Sequence, residues 1–398
     1  MFDPTHVDLP TLRKRAHNLR WATVPPGVIP LTAADPDFPC PAPVTEAITA
    51  YLTKRYFSYG PPEGLPEFRE SMARFFREKR NIPTTPATVL PVDSAAFGIY
   101  ITCKAFLQPG EEAILFDPVD FLFRYAVEEA QAKAITLPIP PGSAADFERI
   151  EDLITPKTRL ICLCNPLNPT GKVFTKAELL TLGRLACRHN LIILSDEIWS
   201  DIVFKPHTFT SIASLAEDIR DRTVTITGFS KSYGLAGLRI GAVMTSNLRH
   251  YTRLYESSLH RSTVHGANLL SQVAATAALE ECGGWLDEFV SHLHAMRDHC
   301  VDRLNAIPGF ACHPPEGCYV AFVNISGTGR SAAEIRDILF DQAKVAVVPG
   351  LPEWFGPGAA GHIRLSFATS RAILDEALNR ITLTIRNHVT LTPQTRNP

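Results

Sequence analysis

The sequence predicts an α/β fold, in which helices cover both faces of a mostly parallel central sheet and a smaller α+β domain follows. Three observations carry this. Short apolar runs alternate with helical patterns through the middle of the 398-residue chain. Those runs are apolar on both faces, as strands buried on both sides of a sheet must be. Beyond about residue 247 the alternation gives way to apolar residues at three- and four-residue spacing, and then to shorter mixed elements.

In chain order, the proline-rich residues 1–45 form an N-terminal arm expected to pack with the smaller domain. Residues 46–280 form the large domain. Within it "EEAILFDP" reads as a strand ending near Phe116, and "TRLICLCNP" as another. A helix follows from about Lys176 to His189, then the strands "LIILSDE" and "RTVTITGF". A long helical region runs through "HGANLLSQVAATAALEECGGWLDEFVSHLHAMRDHCVDRLNAI". Residues 281–390 form the C-terminal small domain, with "CYVAFVNI", a helix near "SAAEIRDILFDQAK", "VAVVPG", "HIRLSFA" and a final helix. The polar end, "VTLTPQTRNP", is expected to be a flexible tail over 391–398.

Composition excludes several classes of partner. Hydrophobic residues make up 45% and charged residues 20%, with a formal net charge of -2. Nothing there calls for nucleic acid or a membrane surface. No apolar run reaches membrane-spanning length, and the opening stretch lacks the apolar core of a signal peptide. The nine cysteines are scattered and odd in number, which reads as reduced, buried thiols in a cytoplasmic protein. Cys162 and Cys164 share one strand face but have no second ligand pair, so no metal site is expected. His260 and His265 read as surface or supporting residues.

Open α/β sheets place their sites beyond the carboxyl ends of the strands. Asn168, Asp196 and Lys231 all fall just after such ends. A lysine alone is usually a solvated surface residue, but one held in a pocket loses its proton and can form a Schiff base. The neighbours favour the pocket. Arg239 can hold a phosphate with a two-bond fork, and Ser230 can donate to it. Ser94, Ala95 and Ala96 open an apolar helix, whose free N–H groups make an anion cup. Tyr59 precedes a glycine-rich turn. A buried Asp196 needs a cationic partner. Together these residues ask for one ligand with an aldehyde, a phosphate and a protonatable ring nitrogen, which is pyridoxal 5′-phosphate.

Over roughly residues 25–388 the sequence resembles the fold-type I pyridoxal-phosphate enzymes of the class I/II aminotransferase family. "SKSYGLAGLRIG", "NPLNPTG", "SDEIW" and "HIRLSFA" carry the resemblance. It implies that Lys231 is catalytic and carries the cofactor as an internal aldimine. Asp196 keeps the pyridine nitrogen protonated, and Asn168 donates to the phenolic oxygen. Ser94, Ala95, Ala96, Ser230 and Arg239 hold the phosphate, with Tyr59 reaching it from a second copy of the chain, which implies a homodimer. Arg364 grips the substrate α-carboxylate, and Ala34 and Asn168 are further substrate contacts.

Three positions depart from the family. Trp199 stands where the family has a tyrosine bonded to the phenolic oxygen. In "DPVDF", Asp120 stands where an aromatic stacks on the ring, so that Phe121 or Phe123 supplies the stack or the face is left to an acid. Gly228 stands where a serine is common. The reaction implied is transamination between an L-α-amino acid and a 2-oxo acid. "AADPDFP" and "SDEIWSDIVFKPHTFTSIASL" resemble the C–S β-lyase branch instead, and other carbanion outcomes such as β- or γ-substitution share the same start. Trp354, Phe355 and Trp199 suit an apolar substrate pocket and core packing equally.

Overall fold

The N-terminal arm of the computed structural model, which describes residues 1–388, carries one short strand, β1 (Ile29–Pro30). The tail expected over 391–398 lies outside the described residues. The large sheet is built from β2 (Val89–Val92), β3 (Glu112–Asp117), β4 (Lys133–Pro138), β5 (Thr158–Cys164), β6 (Ile192–Asp196), β7 (Thr223–Gly228) and β8 (Gly241–Met244). Their order across the sheet is β2-β8-β7-β6-β5-β3-β4. From β7 to β4 all neighbours are parallel. Every residue of β3 and of β7 is buried, as helices on both faces require.

The sequence reading marked β3, β5, β6 and β7 but not β2, β4 or β8, and it did not foresee an antiparallel strand inside the sheet. β4 is an edge strand, with most of its residues exposed or half-buried, so it lacks the apolar run. β2 and β8 are four residues each, too short for periodicity. β8 is antiparallel to both β7 and β2. The link from β7 to β8 holds only the 3-10 turn Ala236–Leu238, and a parallel return needs a full crossover.

The long helical region divides into Leu269–Glu281 and Gly283–Asn305. Ahead of it, His265 and Gly266 take left-handed φ of 54° and 86°, and Asn268 then caps the next helix through the Leu270 and Ser271 N–H groups. The first of the two helices packs on Ala42–Thr53 and Pro66–Arg80. The second lies beside the strands of the small sheet.

That sheet contains β9 (Ala311–Cys312) and β10 (Val320–Asn324). After the short strand β11 (Val345–Ala346) it continues with β12 (Val348–Pro349) and β13 (His362–Ser366). It is antiparallel in the order β12-β13-β10-β9, while β11 pairs in parallel with β1 of the arm. The arm is tied further by the Asp37 N–H to the Ala368 carbonyl and by Phe2 packed on Trp285 and Phe289. One apolar cluster runs from the arm through the small domain to Trp199, Phe229 and Tyr233 around the lysine loop. The turns beyond β6 and β7 therefore meet the arm and β13 across a shared core.

Candidate active site

Buried β7 ends at Gly228, and Lys231 follows in the turn beyond it. Its Nζ donates to the Ala34 carbonyl at 2.6 Å, and the Tyr319 hydroxyl donates to the same oxygen at 3.1 Å. The ammonium lies 5.2 Å from the centre of the Trp199 ring, which packs edge-on against Tyr319 at 4.6 Å. Burial lowers the Lys231 pKa, and Arg364 adds to the fall. Asp35, Asp120 and Asp196 oppose it.

Asp196, the last residue of β6, is buried and accepts the Ile198 N–H at 3.1 Å. Burial pushes its carboxyl up to about 7 against that bond, and Asp120 and Glu197 add to the rise. Glu197 is buried too and reaches about 7, but its Oε1 accepts the Ser211 and Ser195 hydroxyls at 2.6 and 3.0 Å.

A chain of bonds joins β5 to the small domain. Asn168, in the loop after β5, donates through Nδ2 to Asp120 Oδ2 at 2.9 Å. Its Oδ1 accepts from Arg364 Nη1 at 3.1 Å, and Arg364 Nη2 donates to the Thr32 carbonyl at 3.1 Å. Arg364 is 7% exposed, set in β13 between β10 and β12, with its guanidinium 5.0 Å from the Phe355 ring. Its Nε is buried with no partner among the described residues.

The helix Ala95–Phe106 begins beside β8. Ser94 Oγ caps it by accepting the Phe97 N–H at 3.1 Å, which leaves the first-turn N–H groups of Ala95 and Ala96 pointing outward. A Cβ on Gly241 of β8 would stand 2.7 Å from the Thr227 carbonyl and 3.0 Å from the Ala95 nitrogen, so this approach admits only glycine. Ser230 is half-buried. Arg239 is exposed and closes its 3-10 turn with a left-handed φ of 51°.

The departures now have a geometry. Trp199 offers a ring face to Lys231, where a tyrosine would offer a hydroxyl. Phe123 is withdrawn into the large-domain core, and Phe121 packs edge-on against Trp354 at 5.9 Å. Of that turn, Asp120 is the residue bonded to Asn168. A Cβ at Gly228 would meet Ile198 at an ordinary 3.4 Å, so a serine has room there and its hydroxyl is simply missing. Tyr59 is 89% exposed, edge-on to His265, and outside the buried cluster of its own chain. Sequence reasoning passed over Asp35 and Tyr319. Asp35 stood inside "AADPDFP", and Tyr319 looked like ordinary strand core.

The donor set fits pyridoxal 5′-phosphate. Asp196 is a buried acid with no cation bonded to it among the described residues, suited to a ring nitrogen. The open helix end beside Gly241 suits a phosphate, and Lys231 suits the aldehyde. Among the described residues no group of three metal-binding side chains occurs, and no helix is long and apolar enough to cross a membrane.

Comparison with known proteins agrees with the fold and the cofactor. The family model for class I and II aminotransferases matches residues 26–381. The aspartate aminotransferase of Thermotoga maritima is 33% identical over 356 residues, covering 89% of this chain and 90% of that protein. The cystathionine β-lyase PatB of Bacillus subtilis is 29% identical over 358 residues, covering 89% and 91%. A pyridoxal-phosphate-bound structure from Clostridium difficile 630 superposes with a TM-score of 0.89 at 26% identity, covering 97% of this chain and all of that one.

Proposed function

The chain belongs to the class I and II aminotransferases, a family of pyridoxal-phosphate enzymes, and we propose that it transfers the amino group of an L-α-amino acid to a 2-oxo acid. The observation that carries this is the convergence of Lys231, Asp196 and the Asn168–Arg364 pair at the carboxyl ends of β5, β6 and β7. Bound there, the cofactor supplies an aldehyde for the substrate amine and a ring that accepts the electrons released at Cα.

The chain's residues do the rest. Lys231 anchors the cofactor; once released, its burial-lowered pKa suits it to take the Cα proton and return it. Asp196 holds a proton at the ring nitrogen. Arg364 fixes the α-carboxylate, and the Ala34 carbonyl lies beside the amine exchanged at Lys231. Asn168, Trp199, Asp120 and Phe121 surround the ring. Ser94, Ala95, Ala96, Ser230 and Arg239 hold the phosphate, with Tyr59 supplied by the second copy of a homodimer. A cytoplasmic location suits the free cysteines, all buried or half-buried.

A second reading is β-elimination from a substrate with a thiolate leaving group. It draws on the segment that touches Lys231, since "AADPDFP" is the β-lyase-like stretch and supplies the Ala34 carbonyl. One experiment separates the two. Holo-protein is incubated with an amino-acid panel, with and without a 2-oxo acid, and 2-oxo acid products, pyruvate and ammonia are measured. Transamination requires the 2-oxo acid acceptor. Pyruvate and ammonia formed without it would replace that reading with elimination. Borohydride reduction of the same protein is expected to fix the cofactor on the peptide containing Lys231, and Lys231→Ala to abolish turnover in a folded chain. Attachment at another lysine would refute the assignment.

A further inference from the structure

We propose that the substrate of this site carries a cationic side chain, an ammonium or a guanidinium, received by Asp35 and Asp120; this rests on reading the site as one for α-amino acids. The buried, unpartnered Nε of Arg364 points to a ligand in its own right and calls for an acceptor such as an α-carboxylate. The question is then what the remaining charges around Lys231 select.

Each nearby cation among the described residues is already committed. Lys231 belongs to the cofactor, and Arg364 to the α-carboxylate. Arg20 is held in a buried ion pair by Asp37 and donates to the Pro30 and Ala33 carbonyls at 3.3 and 3.2 Å. Neither acid is held in an ion pair among the described residues. Asp35 follows directly on Ala34, whose carbonyl receives Lys231 Nζ. It is half-buried, and its carboxylate takes no hydrogen bond from any described residue. Burial raises its pKa, and the more distant charges of Lys231 and Arg20 only partly offset the rise.

Asp120 caps the helix Phe121–Glu129 through the Leu122 N–H at 3.2 Å and accepts Asn168 Nδ2 at 2.9 Å. An ionised carboxylate has about four acceptor sites, so about two remain. Its charge also reaches Lys231, Asp196 and Arg364.

The alternatives fit worse. A dicarboxylic substrate would bring its distal carboxylate to two acids with no free cation among the described residues beside them. A neutral side chain would leave Asp35 half-buried and unpaired. A cationic one pairs Asp35, while its methylene stem can lie along the Trp199 and Tyr319 rings.

The test uses holo-protein and compares L-lysine, L-ornithine and L-arginine with L-norleucine, which has a similar stem but no charge, and with L-glutamate. Turnover gives kcat/KM, and the α-methyl derivatives, which have no Cα proton, give dissociation constants from the change in cofactor absorbance. At least one cationic member is expected to exceed norleucine and glutamate by about tenfold or more in both measures. Asp35→Asn and Asp120→Asn should each lower the cationic-to-neutral ratio by about tenfold. The ratio is taken within one variant, so partial loss of folded protein does not move it. Equal or better use of norleucine or glutamate, or a ratio that neither substitution changes, would overturn the proposal. If amino acids bind but no amino group is transferred, the aminotransferase reading fails while the binding ratio still decides this one. If none binds, both fail.

Discussion

Arg364 has five N–H groups, and the protein uses two of them. Asn168 and the Thr32 carbonyl take one each, and the buried Nε is among the three left over. A planar edge of this kind matches a carboxylate with two parallel bonds, whereas lysine offers only a point charge. Arg364→Lys is therefore expected to weaken amino-acid binding at least about tenfold, about 1.4 kcal/mol, with cofactor affinity nearly unchanged. Titration of both ligands checks this, and an unaltered KM for every substrate would contradict it. Glu197 gives a second prediction, about pH. Burial holds its carboxyl at about 7 in the fold, while an unfolded chain releases that proton near the ordinary value of about 4.3. Between those values the folded state binds more protons. Stability present at low pH is thus lost as pH rises through 7, by an amount on the order of 3 kcal/mol. Melting temperatures of cofactor-free protein should fall between about pH 5 and pH 8, where these protons are released. Glu197→Gln cannot ionise, so it should flatten that slope while the share owed to Asp196 remains. Parallel slopes in the two proteins would refute it.

At the scale of elements, the proposed phosphate cup depends on how closely β8 approaches the helix Ala95–Phe106. An alanine methyl at Gly241 would press on the Thr227 carbonyl and the Ala95 nitrogen, both backbone atoms that cannot swing aside. Gly241→Ala should cost roughly 1–3 kcal/mol by overpacking and should also turn the Ala95 and Ala96 N–H groups away from the phosphate. Gly98→Ala makes the control, because the new methyl there meets Ile226 and Val243 side chains instead. A loss of cofactor affinity in the Gly241 variant beyond that of the Gly98 variant, measured by equilibrium titration, is the expected result; equal losses would leave the cup unsupported. This geometry also explains what was legible in the sequence. Lys231 and Asn168 follow buried strands and Asp196 ends one, so the end of each apolar run pointed to them. Tyr319 meets Lys231 at the Ala34 carbonyl, which lies 197 residues from Lys231 and 285 from Tyr319, and Asp35 follows directly on Ala34. No local pattern reports a meeting of that kind. The edge position of β4 and the shortness of β8 hid both from periodicity for the reasons of burial and length given above.

For the whole molecule, the telling surface is the one a single chain leaves bare. Tyr56, Phe57 and Tyr59 are 79%, 62% and 89% exposed. Phe57, Tyr59 and the His265–Leu269 segment line one open cavity. Neighbouring large aromatics left in water mark a surface that another molecule covers. In the proposed homodimer a second copy covers it and gives Tyr59 a task, since in its own chain Tyr59 does not reach the buried cluster. If each site takes Lys231 from one chain and Tyr59 from the other, two damaged proteins can repair each other. In a heterodimer of Lys231→Ala and Tyr59→Ala chains, one site carries both lesions and the other carries neither. Equal mixing with free exchange makes half the dimers heterodimers, so about one quarter of all sites should regain full composition. Activity should rise toward that level as subunits exchange, and each protein alone should stay low. A chain that sediments as a monomer while fully active would show that every site is built from one copy. Tyr59 would then have no place in it.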